Sequence, residues 1–390
     1  MNRIHRAWNV VAVLLAVLIM QSVHAKSPRQ DLAQIDAFHP PVAGADASVL
    51  YKEWHYFSMT DKTGKISYSA VLSLEGDVSD PVKSYALDIQ NFSVPIKSDL
   101  TLDVYPIDMA AWSDQSPDLR IGRSEVSFDG GTYRVYTESA DGKTIFDARW
   151  IPEIEPEKTV KLPVVSNAGD DHYMNWLLTS AKMRVDGTLT VNKGTADEKT
   201  YSFKDARGYH DHNWGYWDWA DDMGWDWGQA VERESALCAK TKKRHEHRAQ
   251  GWFKKYKHKL CETHSLALLN MTDGYDTESS SAVIKLWKGD KRLAVFNQNV
   301  QVHHKMMYVP YLPNYAIPEI NFISGVTGNQ RVDIVFVTEN YAPIYLPIDG
   351  GYRIIWELTG KFFVSGYVNK KKIWFVTEGS MEYFGAPLLN

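Results

Sequence analysis

Gly208-Tyr209-His210-Asp211-His212-Asn213-Trp214-Gly215, then Tyr216-Trp217-Asp218-Trp219, then Trp225-Asp226-Trp227-Gly228-Gln229, is the stretch on which the reading of this chain turns. It holds five of the 14 tryptophans, with His210, Asp211, His212, Asp218 and Asp226 among them. If residues 208–215 form a strand, side chains alternate between two faces. His210, His212 and Trp214 then share one face, and Tyr209, Asp211 and Asn213 share the other. Two readings follow. The histidines could act together at one place, or Asp211 and Asn213 could look into a cavity while the histidines bond elsewhere. Without a bulge these readings exclude each other.

A His-x-His pair is half of a metal site at most, because zinc-type sites need a third and usually a fourth ligand. His172, His303 and His304 are available, but no spacing selects them, so no metal is assigned. Structural histidines bonded to backbone or carboxylates are the simpler reading. The carboxylates Asp211 and Asp226 carry more information. An apolar wall raises an Asp pKa by penalising the charged form, and a protonated Asp can protonate an alkene or enol. Indole faces stabilise a developing cation. The plainer alternative is that either Asp bonds indole N–H groups and knits a core. A second aromatic knot with a carboxylate is Glu53-Trp54-His55-Tyr56-Phe57. Phosphate loops, nucleophile elbows and metalloprotease helix motifs are not found.

Outward from these motifs the text is strand and turn. Ile66, Tyr68, Ala70, Leu72 and Leu74 alternate with serines. Tyr133, Val135 and Thr137 do so after Asp129-Gly130-Gly131, and Tyr352, Ile354, Trp356 and Leu358 after Asp349-Gly350-Gly351. Period two with one apolar face reads as half-buried antiparallel strands. Turns are expected at Glu75-Gly76, Asp141-Gly142, Asp186-Gly187, Asp273-Gly274 and Gly328-Asn329. With 14 Trp, 21 Tyr and 14 Phe in 390 residues, the chain is rich in strand-forming aromatics. No repeat of fixed period is visible.

The N-terminus reads as a secretory signal over residues 1–25. Arg3, His5 and Arg6 are basic, residues 10–20 are apolar, and Val23 and Ala25 flank a small-residue cleavage site. The mature chain is expected to start at Lys26, in the periplasm or outside the cell, with a polar lead-in over 26–45. In that setting the two cysteines, Cys238 and Cys261, are expected to form a disulfide. Between them lie nine Lys or Arg and one Glu, in a chain whose net charge is −5. Trp252, Tyr256 and Leu260 recur at helical spacing there. A basic amphipathic helix within a 233–264 insertion fits, as does a solvated loop. A body this acidic argues against nucleic acid as a partner. The basic stretch 240–259 suggests docking on an anionic membrane surface.

The central motif is similar to the signature of the AttH-like and carotenoid 1,2-hydratase (hydroxyneurosporene synthase) superfamily. Glu53 to Phe57 resembles its opening Glu-Trp-Trp-Tyr-Phe element, with His55 in place of the second Trp. Residues 378–385 resemble its closing strand. The resemblance implies an all-β chain of two tandem lipocalin-like antiparallel barrels, over 46–215 and 216–390, without an organic cofactor. Its members share bulky hydrophobic ligands. The expected ligand-binding set is Glu53, Trp54, Tyr209, His212, Asn213, Trp214, Trp225, Trp227 and Gln229. Asp211, Asp226 and His210 are the catalytic candidates. The leading expectation is an exported binder of a lipid, isoprenoid or polyketide. The alternatives are an acid-catalysed hydratase, cyclase or isomerase, and a surface-docking interaction protein. His55 and the basic insertion depart from the family pattern and argue against a strict carotenoid-hydratase role.

Overall fold

The computed structural model describes residues 28–41, 50–163, 172–220, 223–234, 238, 261–273, 279–348 and 351–385. The expected signal sequence, its cleavage point before Lys26, and the basic stretch 239–260 lie outside them. The Cys238–Cys261 disulfide is present, with the Cα atoms 5.2 Å apart.

A short helix, α1 (Pro28–Ile35), precedes the first sheet. That sheet contains β1 (Tyr51–Thr60), β2 (Ser67–Gly76), β3 (Ser84–Val94), β4 (Lys97–Pro106), β5 (Ala110–Trp112), β6 (Leu119–Ile121), β7 (Ser124–Asp129), β8 (Thr132–Glu138), β9 (Ile145–Pro152), β10 (Val160–Pro163), β11 (Tyr173–Val191) and β12 (Lys199–Tyr216). The second contains β13 (Gly224–Val231), β14 (His264–Thr272), β15 (Ser279–Lys288), β16 (Lys291–Phe296), β17 (Gln301–Val309), β18 (Leu312–Thr327), β19 (Gln330–Ile348), β20 (Gly351–Val368) and β21 (Lys371–Phe384). Every pairing is antiparallel, and the two sheets form tandem lipocalin-like barrels.

Both sheets share one plan. The first strand pairs with the last, β1 with β12 and β13 with β21, and three further strands follow the first in order on its other side. This is a repeat of topology rather than of residues, which is why no sequence period reveals it. Buried apolar residues form three clusters. One fills the first barrel, one fills the second, and the third lies between them and draws on both sheets.

That middle layer changes the reading of several strands. On β20, Ile354, Trp356 and Leu358 enter the second barrel's core as alternation predicts, but Arg353, Ile355 and Glu357 are buried too. Their face meets the first barrel, so water is excluded from both sides.

The turn at Asp129-Gly130-Gly131 forms as expected. Asp129 pairs with Thr132, and Gly130 and Gly131 have φ of 56° and 80°. Two residues at positive φ suit the twist of a tight hairpin. Asp186-Gly187 is not a turn. It lies inside β11 at a register shift, and a Cβ on Gly187 would collide with the Asp147 carbonyl oxygen. Here glycine serves a bulge and a close strand approach.

The lead-in packs against the fold. From α1 onward the chain enters the first barrel. Leu32, Asp36, Ala37 and Phe38 are buried, and Leu32 and Phe38 join the first barrel's core.

Candidate functional site

β1 and β12 lie side by side, with Trp54 opposite Asn213, His55 opposite His212 and Tyr56 opposite Asp211. Opposed residues share a face. One face therefore gathers Glu53, His55, Phe57, His210 and His212. The other gathers Trp54, Tyr56, Tyr209, Asp211 and Asn213. Alternation holds without a bulge on this pair: Asp211 and Asn213 face the layer between the barrels, while His210 and His212 bond to other partners on the opposite face.

The second face looks across the middle layer at β13. Trp225, Trp227 and Gln229 point toward it, and Gln229 donates to Ser58 Oγ at 3.0 Å. Between them lies a small hollow lined by Trp54, Tyr56, Met174, Asp211, Asn213, Trp225, Trp227, Leu269 and Glu382. An adjoining hollow shares Trp54, Trp225 and Glu382 as walls, then runs over Val71, Leu87, Ile89, Trp219, Ile344, Leu346 and Ile355, with Ser73 and Glu75 also in its lining. Both hollows are lined mainly by aromatic and aliphatic side chains with a few buried polar groups among them, the usual composition of a small-molecule site.

Asp211 is held by four donors. Trp176 Nε1 (2.9 Å), Tyr209 Oη (2.8 Å) and Trp227 Nε1 (3.0 Å) donate to Oδ2, and Asn213 Nδ2 (3.1 Å) donates to Oδ1. Burial pushes its carboxyl above the usual range, while Trp176 and Tyr209 pull it down. Three donors meet Oδ2, while Oδ1 takes Asn213. These bonds tie β11, β12 and β13 together.

Glu382 is a further buried acid, in the wall of both hollows. It lies on β21 opposite Glu357 of β20. Trp225 Nε1 donates to it at 2.9 Å. Burial pushes Glu382 up to about 7, against the pull of Trp225. Glu357 is held well above the carboxylate range by burial and by the charge of Glu382. Two facing carboxyls in an apolar setting keep a proton between them. Glu382 appeared in the sequence only as part of a closing-strand resemblance. Its signal, a like-charge partner across the sheet, exists only in the register.

Other expected site residues lie away from this cavity. Asp226 points into the second barrel, where Asn270 donates to it at 2.9 Å and His304 Nε2 lies 3.4 Å away. Glu53, His210 and His212 belong to the opposite face of β1 and β12. Trp214 is half-buried and stacks on His39, with ring centroids 4.0 Å apart.

On that opposite face the third histidine is His55; His172, His303 and His304 are not part of the group. Asp36, placed by the segment after α1, is the centre. It accepts from Tyr133 Oη at 2.6 Å and Thr179 Oγ1 at 2.9 Å. His210 Nε2 lies 2.9 Å from its Oδ2 and His212 Nδ1 lies 3.2 Å from its Oδ1. His212 Nε2 reaches Glu53 Oε1 at 2.7 Å, and Glu53 also accepts from the His39 backbone N–H and the Tyr51 hydroxyl. Burial opposes charge on His212, but Asp36 and Glu53 outweigh it and hold the ring up at about 9. Burial pushes Asp36 up, yet His210 and His55 beside it hold its carboxyl well below the usual range. Burial and the charge of His212 hold His55 well below its ordinary value.

No protein-family model and no curated protein match this sequence. Solved structures do. A crystal structure provisionally assigned as AttH from Nitrosomonas europaea aligns with a TM-score of 0.54 at 14% identity, covering 89% of this chain and 98% of that one. CghA aligns with a TM-score of 0.49 at 10% identity, covering 92% and 98%. The likeness is one of fold, that of two tandem lipocalin-like barrels.

Proposed function

We propose that this protein is exported and binds a lipophilic small molecule carrying a polar group in the cavity between its barrels. The observation that carries this reading is a largely apolar cavity lining with a few buried polar groups set into it. Asn213, Glu382 and Glu75 are among those polar groups, and aliphatic side chains from β2, β3, β19 and β20 supply much of the rest. The tryptophans supply large apolar walls at low entropic cost. The disulfide supports an oxidising compartment. Intact-mass measurement of the exported protein is expected to show a start at or near Lys26; retention of residues 1–25 would mean an anchored chain.

A second reading rests on Glu382. A carboxyl poised at about 7 beside indole faces is suited to protonating an alkene or enol at neutral pH. One experiment addresses both readings. Organic extracts of natively purified protein are expected to yield one lipophilic species by mass spectrometry, near one per chain. Val71→Trp, which fills the aliphatic hollow, is expected to abolish its retention. Equal retention by the filled variant would overturn the assignment of the cavity. If the bound species turns over in ¹⁸O-water, Glu382→Gln should bind it and lose at least about 10²-fold in turnover. Asp226→Asn, on the far side of β13, should not. Undiminished turnover by Glu382→Gln removes the acid mechanism and leaves a carrier.

A further inference from the structure

We propose that Asp36, His55 and His210 form a binding site for a divalent first-row transition-metal ion, of which zinc is the type, in the first barrel beside the end of α1. The site is separate from the cavity between the barrels, on the opposite face of β1 and β12.

The three residues come from distant parts of the chain, and all are fully buried. Their ligand atoms lie within 4.8 Å of one another. His210 Nε2 is 2.9 Å and His55 Nδ1 is 4.0 Å from Asp36 Oδ2. Bonds of about 2.0–2.1 Å in tetrahedral array place ligand atoms roughly 3.3 Å apart. The two observed separations bracket that spacing, so shifts below an ångström suffice.

His55 is the independent pointer. Neither of its ring nitrogens has a hydrogen-bond partner among the described residues. Burying an imidazole with nothing to bond is costly. A structural role in this slot, between Phe38 at 4.7 Å and His212 at 4.1 Å, would be filled better by a purely apolar ring.

The surrounding bonds are those a metal ligand needs. His210 Nδ1 lies 2.9 Å from the Tyr56 carbonyl oxygen. A carbonyl only accepts, so Nδ1 carries the proton and Nε2 is turned toward Asp36. Such outer contacts fix the tautomer of a ligating histidine. The Thr179 hydroxyl holds Asp36 Oδ1 and the Tyr133 hydroxyl donates to Oδ2, whose remaining lone pair faces the imidazoles. His55 and His210 lie stacked at 17°, so loading the site turns one ring about its side-chain torsion, while His212 stays outside it with its Nε2 engaged by Glu53 and its Nδ1 beside Asp36 Oδ1. His39, Glu53 and His212 form a second group of three with the same spacing. The His39 side chain is 37% exposed, which makes this outer group a route from solvent to the buried site. Two imidazoles, a carboxylate and no thiolate match zinc, cobalt or copper better than calcium or magnesium.

The test uses the untagged mature chain, stripped with chelator. Titration with zinc chloride is expected to show one ion per chain with Kd below about 1 µM and a rise in Tm. Cobalt chloride should give visible d–d bands that zinc displaces. His55→Phe, which fills the slot without a lone pair, is expected to fold, to raise the Tm of the stripped protein and to lose the ion. His264→Gln, a histidine distant from the site and bonded to Glu232, should keep it. X-ray absorption of the zinc-loaded wild type should count two imidazoles, which tests the site without any variant. Binding weaker than about 10 µM, a zinc shell without imidazole, or full stoichiometry in folded His55→Phe would each overturn the proposal.

Discussion

Asp211→Ala is expected to cost about 3–5 kcal/mol of folding stability, a large share of what a domain possesses. The reason is the number of donors it orphans. Trp176, Tyr209 and Trp227 all donate to one carboxyl oxygen, and all three are buried. These groups sit on β11, β12 and β13, so the change loosens the seam between the barrels rather than one strand. Asp211→Asn should be far milder, at about 1 kcal/mol. The amide oxygen can take the three donors, and Asn213 can turn its own amide to meet the new N–H₂ group. Urea denaturation of the three proteins, read as shifts in midpoint at constant slope, measures this. A loss below about 1 kcal/mol for the alanine variant would mean the donors find other acceptors and Asp211 is not the tie.

Asp88→Asn is expected to act in the opposite direction, and only at high pH. Asp88 is buried inside the first barrel. Ser124 Oγ (2.5 Å) and Gln90 Nε2 (3.1 Å) meet Oδ2, and Oδ1 has no hydrogen-bond partner among the described residues. Burial pushes its carboxyl up to about 7 from an ordinary 3.8, against the pull of Ser124. A folded-state pKa above the unfolded value means the native state holds the proton more tightly. The resulting stability is complete below the unfolded pKa and is lost as pH rises through the folded one. Between pH 5 and pH 8 the wild type should therefore lose about 2–3 kcal/mol through this group. The amide of the Asp88→Asn variant does not titrate, so the variant should gain on the wild type by that amount over the same interval. Thermal unfolding of both at a series of pH values reads it. Parallel curves would show that Asp88 is charged throughout.

Glu382 lies outside what sequence reasoning could find. Its partner Glu357 is 25 positions away, and only the β20–β21 register puts the two carboxyls face to face. Asp226 shows the converse. It stands in the motif among tryptophans, as a catalytic group would, yet strand alternation turns it into the other barrel beside Asn270. His55 is a third case. In the sequence it is a departure from a family element; in the fold it stands opposite His212 and stacks between Phe38 and His212.

The sequence by itself determined what depends on local periodicity and on near neighbours along the chain. Alternating aromatic and polar residues set strands and their two faces, paired glycines set the hairpin at 129–132, and the two cysteines had only each other. Tertiary structure decided what depends on which strands lie adjacent and on which layers meet. It chose β12 as the neighbour of β1, which split one motif into a cavity wall and a histidine cluster. It buried the outer faces of both barrels against each other, which made the cavity. It also drew Asp36 from the lead-in onto His210, 174 residues away. Pairing of that kind rests on long-range packing and hydrogen-bond satisfaction, which have no period in the sequence to read.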